Sequence, residues 1–258
     1  MRRLALSASV FCAPLVLAAC ADPSARGPAA AGAPSQAEAP PGVAVVELFT
    51  SEGCSSCPPA DAVLARLADE AAPGVLPLAF HVDYWDRLGW RDPYGSPAHS
   101  ERQRAVAASL DGRVYTPEIV VNGTVGVVGS REGQVRDAIR AALQTAPSAA
   151  VELAATVRGR EVRVAPRVTG APEGARLHVA LVQRAAEQEV TRGENTGRTL
   201  RHANVVRAFE TVDPAAPSVA LALPDGLAPA GAFVVAYVQA ARTGPVLGAG
   251  SAPLADGA

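Results

Sequence analysis

The chain has 258 residues, enough for one large domain or two small ones, and 49% of them are hydrophobic, enough to build cores. The formal net charge is -2 and the pI about 6.1, with no dominant basic patch, so composition speaks against a nucleic-acid partner. All 23 cationic side chains are arginine, which excludes lysine Schiff-base chemistry and any lysine partner for a cysteine.

Arg2 and Arg3 precede an apolar run, Leu4 to Ala19, that ends in small residues. This reads as a secretory signal, too short and wrongly flanked for a spanning helix. Leu17-Ala18-Ala19-Cys20 resembles the lipobox of bacterial lipoproteins, in which cleavage precedes a cysteine that then takes lipid. The alternative is an ordinary signal with Cys20 a bystander. Residues 1–19 are thus expected to be a signal peptide, Cys20 a lipidation site, and the Ala-, Pro- and Gly-rich stretch to residue 42 a flexible tether. The expected location is the cell envelope, facing the periplasm, on a membrane surface held through Cys20. Cys12 leaves with the signal, so any disulfide within the mature chain joins Cys54 to Cys57.

From Val43 to Thr50 a continuous apolar, β-branched run predicts a strand buried on both faces. Ser51 to Pro59 carries the Cys-Ser-Ser-Cys motif. Ala60 to Ala71 is helix-periodic through Val63, Leu64 and Leu67, and Pro73-Gly74 ends it. Val75 to Val82 is a second buried strand, so a parallel β-α-β unit is expected. Ser96 to Leu110 reads as a helix with Pro97 near its start. Val114 to Val121 is a strand interrupted by Pro117, Asn122-Gly123 is a hairpin turn, and Thr124 to Val128 completes the hairpin. Ser130 is placed to cap a helix running to about Leu143.

After Pro147 short alternating segments take over: Val151–Val157, Glu161–Val168, Leu177–Gln183, Val205–Glu210, Val219–Leu223 and Phe233–Gln239. They predict an all-β region. The expected fold class is an α/β domain over residues 43–146, with the order β-α-β-α-β-β-α found in thioredoxin, followed by a smaller all-β, sandwich-like domain over 147–258.

The cysteine pair lies between a buried strand and a helix. A thiolate at a helix N-terminus is stabilised by unpaired N–H groups and the helix dipole. Cys54 is therefore expected to attack thiols or disulfides, and Cys57, one turn in, to resolve the mixed disulfide. The alternative is a permanent staple, although closing so short a loop removes little unfolded-chain entropy. Pro117 breaks the ladder of its strand; the segment Val114 to Gly123 resembles the loop and hairpin of thioredoxin-like proteins, a resemblance that implies that Thr116 and Pro117 face the cysteines. His81, Asp83, Tyr84 and Trp85 leave the second strand at the cysteine edge of the sheet, with Trp90 and Tyr94 close behind. They form either a substrate-facing wall or aromatic packing over the next loop. Glu47, in the first strand, is a candidate proton relay to Cys57, one residue further from the motif than thioredoxin's buried acid. Arg192 to Arg198, with His202 and Asn204, reads either as a solvated loop or as a segment folding over the cysteine edge.

Val45–Asp61, His81–Trp90, Tyr115–Gly123 and Arg192–Arg207 together resemble an uncharacterised family of exported bacterial thioredoxin-like proteins, catalogued as a domain of unknown function. The resemblance implies a thioredoxin-like fold, a CxxC site and a cis Thr116–Pro117 peptide facing the cysteines. It supplies neither substrate nor direction of electron flow. The function expected from the site is thiol–disulfide exchange with an exported protein or a small thiol, without a cofactor. Two alternatives stand beside it: a copper-binding module using the two thiolates and His81, and a surface scaffold in which the disulfide only stabilises.

Overall fold

The computed structural model describes residues 42–110 and 112–256. The expected signal peptide, Cys20 and nearly all of the expected tether lie outside the described residues. No described helix is long and apolar enough to cross a membrane.

Strand β1 (Ala44–Thr50) is buried along its whole length. Ala44, Val46 and Leu48 face one side and pack on Ala60, Val63, Leu64 and Leu67 of helix α1 (Pro58–Glu70). Two prolines open α1, where missing N–H groups cost nothing, and Ala71 closes it in the left-handed region at φ 44°. Strand β2 (Val75–His81) lies parallel to β1, from Ala44 opposite Val75 to Thr50 opposite His81. Helix α2 (Pro97–Ser109) is capped by Ser96, whose hydroxyl accepts from the Ala98 N–H. Strands β3 (Glu118–Val121) and β4 (Val125–Val128) form the expected hairpin on the other edge of β1. Asn122 and Gly123 both take left-handed φ values, 48° and 67°, as the tight hairpin turn demands. β3 is shorter than the sequence suggested, since pairing begins only after Pro117. Helix α3 (Glu132–Leu143) follows, with Arg131 rather than Ser130 at its N-cap.

The rest of the chain forms strands β5 (Ala150–Arg158), β6 (Glu161–Thr169), β7 (Arg176–Val190), β8 (Arg198–Val212), β9 (Val219–Ala222), β10 (Ala232–Gln239) and β11 (Val246–Asp256). These strands do not make a separate sandwich. All eleven belong to one mixed sheet, ordered β4-β3-β1-β2-β8-β7-β10-β11-β5-β6-β9. The expected fold class, a thioredoxin-like α/β domain followed by a smaller all-β domain, is therefore corrected to a single large mixed sheet carrying three α-helices among the described residues.

The physical reason lies on the second face of β1 and β2. Val45, Phe49, Leu78 and Phe80 point away from α1 and need cover. Residues from β7, β8 and β10 supply it: Ala180, Val182, Val206, Val235 and Tyr237 share one core with them. Each large side chain so buried contributes about 1.5–3 kcal/mol. The free edge of β2 joins β8 in parallel at Ala79 and Val205, which carries the sheet across. A second junction seals the far end, where the Val246 N–H donates to the Asn122 carbonyl at 3.1 Å.

β7 and β8 are 15 residues each, more than twice the length their apolar stretches predicted. Their register shifts by one residue at Leu181/Val182, and Asn204 adopts φ 51° while its amide donates to the Pro77 carbonyl at 2.9 Å. A bulge of this kind bends a strand pair and redirects its side chains. Beyond it the β7–β8 ribbon runs along α1 and brings the turn at residues 191–197 to the cysteine loop.

Candidate functional site

Cys54 and Cys57 form a disulfide with Cα atoms 5.4 Å apart, and neither has exposed surface. The second cysteine, rather than the first, occupies the N-cap of α1. Its carbonyl accepts from the N–H groups of Ala60 at 2.8 Å and Asp61 at 3.1 Å. Cys54 sits in the turn before it, its N–H bonded to the Ser51 carbonyl at 3.2 Å.

The Thr116–Pro117 peptide is cis, and the Thr116 hydroxyl donates to Cys54 Sγ at 3.3 Å. Trp85 Nε1 donates in turn to Thr116 Oγ1 at 2.8 Å. Trp85 also lies against Gly53, where a Cβ would stand 3.0 Å from its own. On this side Thr116, Pro117 and Trp85 close the cysteine loop. The ribbon closes the other. Asn195, fully buried, donates to the carbonyls of Glu52 at 2.8 Å and Cys54 at 3.0 Å. Glu194 accepts from the Ser55 N–H at 3.0 Å. Of the two readings of residues 192–198, the structure takes the one in which the loop folds over the cysteines.

The remaining expected residues divide. His81 is buried beside the cysteine loop, with Nδ1 bonded to Asp92 Oδ2 at 2.8 Å. Asp83 and Tyr84 turn instead toward α2: Asp83 bonds Ser100, and the Tyr84 hydroxyl donates to Gln103 at 3.1 Å. Glu47 points away from α1 altogether, sharing the face of Val45 and Phe49. Its carboxylate receives two bonds from the buried Arg102, at 2.7 and 2.9 Å, and one from the Tyr237 hydroxyl at 2.7 Å. The structure does not bring it to Cys57.

Behind the disulfide lies a buried cluster in which Glu52, Asp61 and Asp92, which sequence reasoning did not select, join His81 and His202. His202 Nε2 bonds Glu52 Oε1 at 3.1 Å, and Trp90 Nε1 donates to Glu52 Oε2 at 2.8 Å. The Glu52 N–H donates to Asp92 Oδ2 at 2.8 Å. Asp61 accepts from the Thr50 hydroxyl at 2.8 Å, and its other oxygen faces His202 Nδ1 at 4.0 Å. The two imidazoles meet edge to face with centroids 4.7 Å apart, and His81 Nε2 and His202 Nδ1 make no hydrogen bond. Burial raises Asp61 above the usual carboxylate range, against the opposing pull of His202 and His81. Burial also pushes Asp92 up, but the charge and hydrogen bond of His81 and the amides of Glu52 and Tyr94 outweigh it and hold Asp92 at about 2. His81 is raised: burial lowers it, yet Asp92 together with Asp61 and Glu52 prevails. Among the described residues no group of three or more His, Cys, Asp or Glu side chains is arranged to hold a metal ion.

Residues 45–239 match the family described as "Protein of unknown function (DUF1223)". The chain belongs to the DUF1223 family. The match begins in β1 and ends with β10, so this DUF1223 chain has its cysteine loop, its buried cluster and its ribbon all within the family's span. A crystal structure of protein AGR_C_4864 from Agrobacterium tumefaciens is similar, with 27% identity, a TM-score of 0.61, and coverage of 81% of this chain and 94% of that one. HBP35 of Porphyromonas gingivalis shares the fold at 16% identity and a TM-score of 0.60, over 83% of this chain and 75% of that one. No curated protein matches the chain. The Arg192–Arg207 stretch, quoted above for the family resemblance, is the signal that pointed to Asn195 and His202. Glu52 and Asp61 stand two and four residues from the cysteines and were hidden only by their proximity to them.

Proposed function

We propose that this protein carries out thiol–disulfide exchange at Cys54–Cys57, with an exported protein or a small thiol as substrate. One observation carries the reading: five buried titratable side chains are gathered behind a disulfide that closes a very short loop. Closing a loop of that length is worth about 2 kcal/mol by chain entropy. Burying ions costs several kcal/mol each before pairing. A staple alone gives no return for such a cluster, whereas a reacting sulfur pair needs charged and proton-bearing groups beside it.

In the reducing direction a substrate thiolate attacks Cys54 Sγ. The Cys54–Cys57 bond breaks, a substrate–Cys54 disulfide forms, and Cys57 leaves as a thiolate that takes up a proton. A second substrate thiolate then attacks the substrate sulfur, releasing Cys54 and the substrate disulfide. The oxidising direction is the reverse. Both sulfurs are covered, so exchange begins with release of the Ser55–Glu194 contact or the Trp85–Thr116 contact, each a single hydrogen bond at the rim. The same proposal places the reaction in the cell envelope, where disulfides persist, with lipid on Cys20 as the anchor.

The test is a redox titration of the purified full-length protein in graded glutathione buffers, with the Cys54–Cys57 state read by the mass added on thiol alkylation. A reversible conversion with one midpoint is expected. A disulfide that stays closed in the folded protein even under strong dithiols would leave only the stapling role.

A further inference from the structure

We propose that Asp61 is the proton-exchange residue for Cys57 and that His202, from β8, is the positioning residue that holds Asp61 ready. This rests on the exchange reading above. The argument is one of geometry and elimination. Asp61 follows Cys57 by one helical turn, its N–H bonded to the Cys57 carbonyl at 3.1 Å. Residues so spaced on a helix are face neighbours, with Cβ atoms about 5–6 Å apart.

The other buried carboxyl groups are committed elsewhere. Asp92 holds His81 and the amides of Glu52 and Tyr94. Glu52 holds Trp90 and His202. Glu47 is on the far face of β1 with Arg102. Glu118, paired with Phe49 on that same far face, holds Gln103 of α2. Within the cluster behind the disulfide, Asp61 alone keeps an oxygen, Oδ2, that receives no hydrogen bond among the described residues. That oxygen faces the unpartnered Nδ1 of His202 at 4.0 Å. The hydrogen bond between His202 Nε2 and Glu52 Oε1 fixes the ring with Nδ1 toward Asp61. Thr50 donates to Oδ1, which leaves Oδ2 as the oxygen that carries the acid proton when Asp61 is protonated.

The proton accounting closes. When the Cys57 thiolate leaves, it takes the Asp61 proton, giving a thiol and a carboxylate. When Cys57 attacks a mixed disulfide, the carboxylate takes the thiol proton back. The groups facing Asp61 are Thr50 on β1, His81 on β2, Asp92 in the loop after β2 and His202 on β8. Arg66 and Asp69 of α1 and Arg198 of β8 line the surface cleft beside it.

The experiment measures the rate at which glutathione opens the disulfide in the full-length protein, normalised to glutathione thiolate, as a function of pH. The wild-type profile is expected to break where Asp61 ionises. Asp61→Asn keeps size and the Thr50 bond but holds no transferable acid proton; it is expected to lose the break and about 10²-fold in rate. His202→Gln is expected to move the break to higher pH, since the imidazole lowers the Asp61 pKa. A folded Asp61→Asn protein with the wild-type profile would overturn the assignment, as would a wild-type profile without a break. If Asp61→Asn does not fold, an unmoved break in His202→Gln overturns it. Failure of the exchange reading itself looks different: the wild-type disulfide does not open at any pH.

Discussion

Glu47→Gln separates stability from chemistry in this protein. Glu47 and Arg102 have side chains only 1% and 6% exposed, and the guanidinium also lies over the rings of Phe80, Phe209 and Tyr237 at 5.0–5.7 Å. Glu47 is its only anionic partner within ion-pair distance among the described residues. Replacing it with Gln preserves shape and one acceptor but leaves the arginine buried without a counter-charge. Breaking a buried pair in this way costs about 3–5 kcal/mol. For a domain of this size each kcal/mol lowers Tm by roughly 2–4 °C, so a drop of roughly 6–20 °C is expected. Urea unfolding should show a lower midpoint at unchanged slope. The double variant Glu47→Leu with Arg102→Met should recover most of the loss, since apolar replacement of a buried pair is often neutral. The Cys54–Cys57 redox midpoint of Glu47→Gln should equal that of wild type. A stability loss under about 1 kcal/mol would refute the reasoning about the pair, and a shifted midpoint would refute the placement of Glu47 outside the cysteine chemistry.

Asn195→Ala removes two hydrogen bonds, worth about 1 kcal/mol each, that tie the ribbon turn to the cysteine loop. Disulfide opening by glutathione should accelerate by up to about thirtyfold, the factor that about 2 kcal/mol supplies, and equal rates would show that the turn is not the cover. His81→Gln should change how stability follows pH. The raised His81 contributes stability that is complete below its ordinary 6.5 and lost as pH rises through its folded value. The lowered Asp92 contributes stability that is present above 3.8 and lost as pH falls toward about 2. Urea midpoints of wild type should therefore decline as pH rises above 6.5, and His81→Gln should abolish that decline; an unaltered slope would contradict the pairing.

What could be read from the sequence follows the range of the interactions. β1, α1 and β2 were legible because their apolar spacing and the Pro-Gly stop are local. Asn122-Gly123 was legible because its turn demands those residues. β11 was not. A side chain at Gly248 would meet the Ala149 carbonyl at 2.0 Å, and one at Gly250 the Val151 carbonyl at 2.5 Å, so close approach to β5 imposes residues that disguise a strand. The outer halves of β7 and β8 were missed because Arg201 and Glu187 pair in solvent and give no apolar alternation. The union of all strands in one sheet depends on an edge pairing between Ala79 and Val205 that no local pattern encodes. At the site, Thr116 and Trp85 lie at Cys54, and His81 lies in the buried cluster with Asp92. Glu47 failed because the inward side of a strand buried on both faces is ambiguous, and here the acid faces Arg102.

The disulfide and its cover are made of parts that emerge from the ribosome far apart. Asn195 lies 141 residues after Cys54, and His202 lies 150 after Glu52. The β1–α1–β2 segment can close over a short contour, while the ribbon must wait for a long loop to be closed. During synthesis the cysteine loop is therefore complete in sequence long before the residues that cover it exist, and the cover is added last.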